Sequence, residues 1–265
     1  MDVRKAGLGK RQTPRNGDYY NKDGVLVCGV CGKEREWHGF FPGVGMTWAA
    51  CICDCDKKRY VADIEAENLA QKKRLADMRR EHAFPFGSFL VNMTLDKDDK
   101  ANYKVSEAVR QYCRNFGKAL KESRGLVFMG DVGTGKTFFA AAILNAAIDE
   151  GYKCLFTSFP QEINEMANTY DKNEYLKNLK SYDFVVFDDF GVERETEFNL
   201  EQMYQIVNAR YLVGKPTIIT TNMGNAAFGD ANIDKQRIFS RIFEKADIIV
   251  VSGADRRKTK KTVIV

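Results

Sequence analysis

Residues Gly130-Asp131-Val132-Gly133-Thr134-Gly135-Lys136-Thr137 spell G-x-x-x-x-G-K-[ST] between the apolar run Leu126-Val127-Phe128-Met129 and an Ala-rich stretch. This pattern requires a strand to end, a glycine-rich turn to aim successive backbone N–H groups inward as an anion nest, and a helix to begin at the lysine. Lys136 then reaches the outer phosphates of a nucleotide, and the Thr137 hydroxyl is placed to ligate Mg²⁺. The rest of the C-terminal half keeps the rhythm such a loop needs. GLVFMG, a helix over 136–149, YKCLFTS, a helix over 161–169, a polar stretch, DFVVFDDFG, a helix over 199–213, PTIITTN, a helix over 233–245 and DIIVVS follow one another. Short apolar runs separated by helices predict an α/β fold with a parallel sheet and helical crossovers.

Further chemistry sits at the ends of those runs. The strand Phe184–Phe187 closes on Asp188 and Asp189, two carboxylates at the sheet edge that carries the phosphate loop. Asp188 suits Mg²⁺, and Asp189 suits a general base for an attacking water. Asn222 ends the β-branched run Pro216–Thr221, within reach of a γ-phosphate or its water. Arg237 and Arg241 are four apart, hence on one helix face. Beside a nucleotide hydrolase such a pair is a candidate for stabilising transition-state charge on a neighbouring subunit; otherwise it is a solvated face. Arg256 and Arg257 follow the last strand and either approach the phosphates or belong to a solvated basic tail.

The front half reads differently. Five of seven Cys lie between Cys28 and Cys55, which argues against a disulfide framework and for a metal site in a reducing cytosol. Cys28-x-x-Cys31 is a strong Zn²⁺ knuckle, and Cys51, Cys53 and Cys55 supply the other thiolates, although five cannot all bind one ion. His38 competes as fourth ligand. No run approaches a membrane span, and the start has no apolar signal core. Residues 1–125 carry 24 Lys and Arg against 17 Asp and Glu, whereas the remainder carries 17 against 19. The basic half points modestly to a polyanion partner. The expected organisation is a flexible basic arm over 1–24, a zinc-binding module over 25–55, a basic helix and linker over 56–100, and a nucleotide-binding core over 101–265.

Taken in order through residues 126–257, the phosphate loop, FDDFG, a helix ending in NARY, PTIITTN, QRIFSR and a terminal arginine resemble the AAA+ ATPase core of the DnaC-type bacterial helicase loaders and their IstB-type relatives. In that family these are Walker A, Walker B, sensor 1, the arginine-finger motif and the sensor 2 arginine. The resemblance implies those roles for Lys136 and Thr137, Asp188 and Asp189, Asn222, Arg241 with Arg237, and Arg257. Asp189 departs from the Glu that many AAA+ proteins carry, which leaves slow hydrolysis or water-mediated geometry open. CDCDKKR resembles the second half of the zinc module ahead of loader ATPase cores, which favours Cys53 and Cys55 as the second ligand pair. The chain runs about 24 residues past Arg241, so a reduced or absent helical lid is expected.

The resemblance implies a loader, of the kind phages and mobile elements also carry, that grips a hexameric replicative helicase, engages single-stranded DNA and self-associates into an arc or ring. Its place would be the bacterial cytosol or nucleoid, with ATP, Mg²⁺ and Zn²⁺ as cofactors. Two other readings stand beside it: an IstB-like transposition helper on duplex DNA, and a zinc-containing adaptor that binds nucleotide without turning it over. Strand contacts are expected after Ser158, with Lys177 and Lys180 as candidates, or along the basic helix at Lys57, Lys58, Arg59, Lys72, Lys73 and Arg74.

Overall fold

The computed structural model describes residues 9–191, 196–223 and 233–256 and divides the chain into two compact units, Met1–Lys72 and Lys73–Val265. In the first unit, β1 (Tyr19–Tyr20) pairs antiparallel with β2 (Leu26–Val27), and β3 (Glu36–Phe41) with β4 (Gly45–Ala50). The helix α1 (Asp54–Ala83) begins here and runs into the second unit. Its mid-section is exposed on every side, so Ala, Leu, Glu, Lys and Arg supply the helix propensity that packing does not.

Residues 9–24 are not the structureless arm that their composition suggests. Polar ties replace the missing apolar period. Glu36, fully buried, accepts Arg11 Nη2 at 2.6 Å, the Leu26 N–H at 3.1 Å and the Gln12 N–H at 3.2 Å. Asp18 pairs with buried Arg35, and Arg15 with Asp56. The Arg11 guanidinium also lies 4.2 Å from the Trp48 ring centroid.

The second unit is a three-layer α/β/α domain. After α1 come two 3₁₀ turns, then α2 (Tyr103–Arg114) and α3 (Phe116–Glu122). Asn115 separates the two, capping the end of α2 and preceding α3. The sheet strands are β5 (Gly125–Met129), β6 (Cys154–Ser158), β7 (Phe184–Phe190), β8 (Thr217–Thr221) and β9 (Ala246–Val250), all parallel, in the order β6-β7-β8-β5-β9. The crossovers carry α4 (Lys136–Glu150), α5 (Phe159–Asn168), α6 (Lys172–Ser181), α7 (Glu197–Val213) and α8 (Ile233–Glu244). The polar stretch between the second and third runs is helical: Asp171 caps α6 by accepting the N–H groups of Asn173 and Glu174, while Leu179 is buried.

Alternate residues of each central strand serve opposite faces. Leu126, Phe128, Phe184, Val186 and Ile218 pack with α4, whereas Val127, Met129, Val185, Phe187 and Ile219 pack with α5, α7 and α8. Burial on both faces explains the continuous apolar runs. Parallel pairing places all five carboxyl strand ends on one edge, where α/β sheets bind ligands.

Candidate nucleotide site and cysteine cluster

The phosphate loop leaves β5 at Gly130 and enters α4 at Lys136. Gly133 and Gly135 have φ of +81° and +103°, the left-handed region that favours glycine. A Cβ at Gly130 would strike the Val251 carbonyl, and one at Gly133 the Asp255 side chain. Thr134 Oγ1 donates to the Asp131 carbonyl at 2.9 Å. Lys136 Nζ donates to the carbonyls of Gly130 at 2.9 Å and Asp131 at 2.8 Å, so the ammonium is held across the loop mouth. Val132 at the loop tip is exposed.

At the end of β7 the register shifts between Phe187 and Phe190, and Asp189 takes a φ of +54°. Asp tolerates this region, and such backbone strain is retained where the surroundings hold it. The bulge turns Asp189 outward while Asp188 stays half-buried. Asp188 Oδ1 accepts the Thr137 hydroxyl at 3.0 Å and the Thr220 hydroxyl at 2.5 Å; Thr220 Oγ1 in turn accepts the Asp189 N–H at 2.9 Å. Burial pushes the Asp188 carboxyl above the ordinary carboxylate range, and neighbouring Asp189 adds to the rise, against the hydrogen bonds from Thr220 and Thr137. A hydroxyl and a half-buried carboxylate facing each other next to an anion nest form a hard oxygen donor set, which fits Mg²⁺ carried with phosphates. Asn222 lies one residue past β8 and is exposed.

Arg256 sits beside the loop: its N–H donates to the Gly133 carbonyl at 3.0 Å, and its guanidinium pairs with Asp99 at 3.2 Å. Arg257 lies outside the described residues. Arg241 is elsewhere. It lines a cleft with Thr217 and Ala246, the first residues of β8 and β9, and so stands at the amino edge of the sheet, opposite its own phosphate loop. Its Nε donates to Asn208 Oδ1 at 3.0 Å, and its guanidinium stacks 4.6 Å from the Tyr204 centroid. The acids near it have other partners, Glu244 with Tyr211 and Asp247 with Arg124. Arg237 is exposed one turn earlier on α8. Lys177 and Lys180 ride on α6, with Lys177 exposed.

In the first unit the sulfurs of Cys28, Cys31, Cys53 and Cys55 all lie within 4.8 Å of one another. Zn–S bonds of about 2.3 Å put tetrahedral ligands roughly 3.8 Å apart, so the four thiols fit one zinc-sized ion. Hydrogen bonds from the backbone at Lys33 and Cys55 pull the Cys31 thiol down to about 6, while its hydrogen bond with Cys31 and burial push Cys55 up to about 12. Cys51 and His38 are outside the cluster. His38 stacks on Trp48 across the β3–β4 ladder, with ring centroids 4.4 Å apart.

The sequence profile of IstB-like ATP-binding proteins matches residues 62–263, which contain the whole phosphate-loop sheet. The chain belongs to the IstB-like ATP-binding family. This IstB-like protein is 28% identical over 138 residues to the replicative helicase loader DnaC of Escherichia coli, covering 49% of this chain and 55% of that one. It is 22% identical over 148 residues to an ATP-binding protein in an insertion sequence of Mycobacterium tuberculosis, covering 54% and 59%. The chain thus spans little more than half the length of either relative. A crystal structure of the DnaC helicase loader superposes with a TM-score of 0.52 at 27% identity, covering 61% of this chain and 97% of that one. The fold is accordingly that of a DnaC/IstB-like AAA+ ATPase.

Sequence reasoning about this IstB-like ATPase missed Thr220 and Glu36. Thr220 had a signal: it is a hydroxyl in the β-branched run Thr217–Thr221, two positions before the residue singled out, and the structure buries it fully. Glu36 had none, because nothing local distinguishes a buried carboxylate from a surface one. Among the described residues, no helix is long and apolar enough to cross a membrane.

Proposed function

We propose that this IstB-like ATPase loads a hexameric replicative DNA helicase onto single-stranded DNA, with ATP binding and hydrolysis as the assembly switch. The observation that carries the reading is the Thr137–Asp188–Thr220 cluster at the carboxyl edge, set against an arginine at the amino edge. In this reading the loop N–H groups and Lys136 hold the phosphates, while Thr137 and Asp188 hold Mg²⁺, which neutralises phosphate charge when bound. Asp189 orients water from the bulge, with Asn222, Arg256 and Arg257 at the outer phosphate. Arg241, assisted by Arg237, serves the nucleotide of the next copy, so chains self-associate into an arc or ring and hydrolysis releases it. The module at Cys28, Cys31, Cys53 and Cys55 holds Zn²⁺ and grips the helicase. Single-stranded DNA contacts Lys177 and Lys180.

Kinship with DnaC supports the helicase, and kinship with the insertion-sequence protein supports a second reading, a transposition helper on duplex DNA. One experiment separates them. The purified chain is mixed with the replicative helicase of its host and either circular single strands or duplex. Retention of helicase on single strands only when this protein and ATP are present is the expected result. Failure to bind the helicase, together with preference for duplex, overturns it. Nucleotide binding with no turnover under any of these conditions would instead leave the adaptor.

A further inference from the structure

Arg241 is not simply a residue on the surface of α8. Three side chains of α7 at i, i+4 and i+7 converge on it: Tyr204 with its ring centroid 4.6 Å from the guanidinium carbon, Asn208 accepting Nε at 3.0 Å, and Tyr211 at 5.7 Å. Tyr211 is itself fixed, since its hydroxyl donates to the Glu244 carboxylate at 3.0 Å. All three α7 residues are half-buried, and their neighbours on that helix, Met203, Ile206 and Val207, are locked into the core. The platform is therefore rigid.

The partners of the guanidinium are unevenly distributed. Nε is satisfied by Asn208, and among the described residues Nη1 makes only a 3.4 Å contact to the Arg237 carbonyl. A planar fork stacked on one face and pinned at its Nε edge keeps its Nη edge for an outside acceptor and loses little freedom on binding it. An arginine that merely tied α7 to α8 would gain most by using its terminal nitrogens for that purpose, as buried Arg210 does with the carbonyls of Leu179, Tyr182, Asp183 and Pro216. Arg241 is arranged the other way round.

We infer that Tyr204 and Asn208 are positioning residues that hold the Arg241 fork in the orientation that meets the nucleotide phosphates of an adjoining copy. The inference rests on the proposed action of Arg241 in trans and adds that the finger is built in advance of assembly rather than recruited by it.

The test uses two full-length chains, each defective alone. One carries Arg241→Ala and keeps its nucleotide site; the other carries Lys136→Ala and keeps its finger. Mixing them should recover hydrolysis, because some interfaces then combine an intact loop with an intact arginine. Asn208→Ala or Tyr204→Leu is then added to one chain at a time. In the finger donor, either should lower the recovered kcat by about tenfold or more with KM for ATP nearly unchanged, since a small misplacement of a catalytic group is costly. In the Arg241→Ala chain, whose finger is already gone, the same substitution should leave recovery intact, an asymmetry that a general folding defect cannot produce. Tyr204→Phe, which keeps the ring, should behave as the parent in the donor. No recovery from the unmodified pair defeats action in trans and this inference with it. Recovery that is indifferent to Asn208→Ala and Tyr204→Leu in the donor, or equally sensitive in both chains, overturns the positioning role alone.

Discussion

The Thr220 hydroxyl donates to Asp188 Oδ1 at 2.5 Å while accepting the Asp189 N–H at 2.9 Å, so one side chain of β8 holds both acidic positions of β7. Strand pairing explains how. β7 and β8 are parallel neighbours, and the register shift after Phe187 gives the Asp189 N–H a side-chain acceptor in place of a ladder carbonyl. The hydroxyl therefore fixes the carboxylate that faces Thr137 and the bulge that turns its neighbour outward.

Replacing Thr220 by Val keeps the shape and removes the hydroxyl. Asp188 then loses its Thr220 donor, and the part-buried Asp189 N–H loses its side-chain acceptor, at a cost of about 1–3 kcal/mol in stability. Turnover should fall about 10- to 100-fold and the Mg²⁺ concentration for half-maximal rate should rise, with nucleotide binding changed only a few-fold. Thr220→Ser should recover most of the rate. A Thr220→Val chain with an unaltered Mg²⁺ titration would show that the hydroxyl is only structural.

Binding and turnover should separate at two other positions. Lys136→Ala removes the ammonium held at the loop mouth and should weaken nucleotide binding by at least about tenfold. Asp189→Asn preserves side-chain size, and Asn tolerates the same positive φ, so the bulge survives. Binding measured with a fluorescent nucleotide should stay near the parent value while phosphate release falls to background. Parent-like hydrolysis by Asp189→Asn would remove the residue from the reaction.

The sheet was legible in the sequence because both of its faces are buried, which made each central strand a continuous apolar run, and because the loop between Met129 and Lys136 permits few structures. The four thiols brought together are the set favoured from spacing and resemblance. What escaped was polar. The α6 helix has one fully buried apolar residue, Leu179, and is fixed by its Asp171 cap, so no apolar stripe announced it. The segment 9–24 is ordered by pairs such as Arg35 with Asp18, whose members are 17 residues apart and carry no local signature. Long-range ion pairs and hydroxyl relays depend on geometry that exists only after the chain has folded.

Glu36 tests that last point. Burial alone would raise its carboxyl, yet the Arg11 guanidinium and the N–H groups of Leu26 and Gln12 outweigh it and hold the group below the usual range. Glu36→Gln keeps the volume but cannot satisfy a guanidinium and two N–H donors equally. The N-terminal unit should lose about 1–3 kcal/mol. ATP binding by the second unit should be unchanged, and a parallel loss of binding in Glu36→Gln would contradict the separation of the two units.

The chain's two tryptophans, Trp37 and Trp48, both lie on the β3–β4 ladder, so tryptophan emission reports on the N-terminal unit alone. Purified protein should contain about one Zn²⁺ per chain, and Cys28→Ser or Cys31→Ser should lose the metal and shift the emission, whereas Cys51→Ser and His38→Ala should retain it. Acid should act in two stages. Metal binding needs thiolates, so protons compete with it, and affinity should fall as pH drops toward about 6, where Cys31 itself takes up a proton. The second stage belongs to Asp18, Glu36 and Asp56, all held below their ordinary carboxylate values: Asp18 by backbone and Arg35 contacts, Asp56 by Arg15, and Glu36 as above. A carboxyl that is more acidic when folded contributes in full above its unfolded value and loses that contribution as pH falls through the folded one, here below about 4. Chelated protein should therefore lack the first emission change and keep the second. A single acid transition, identical with and without chelator, would mean that the four cysteines hold no metal in solution.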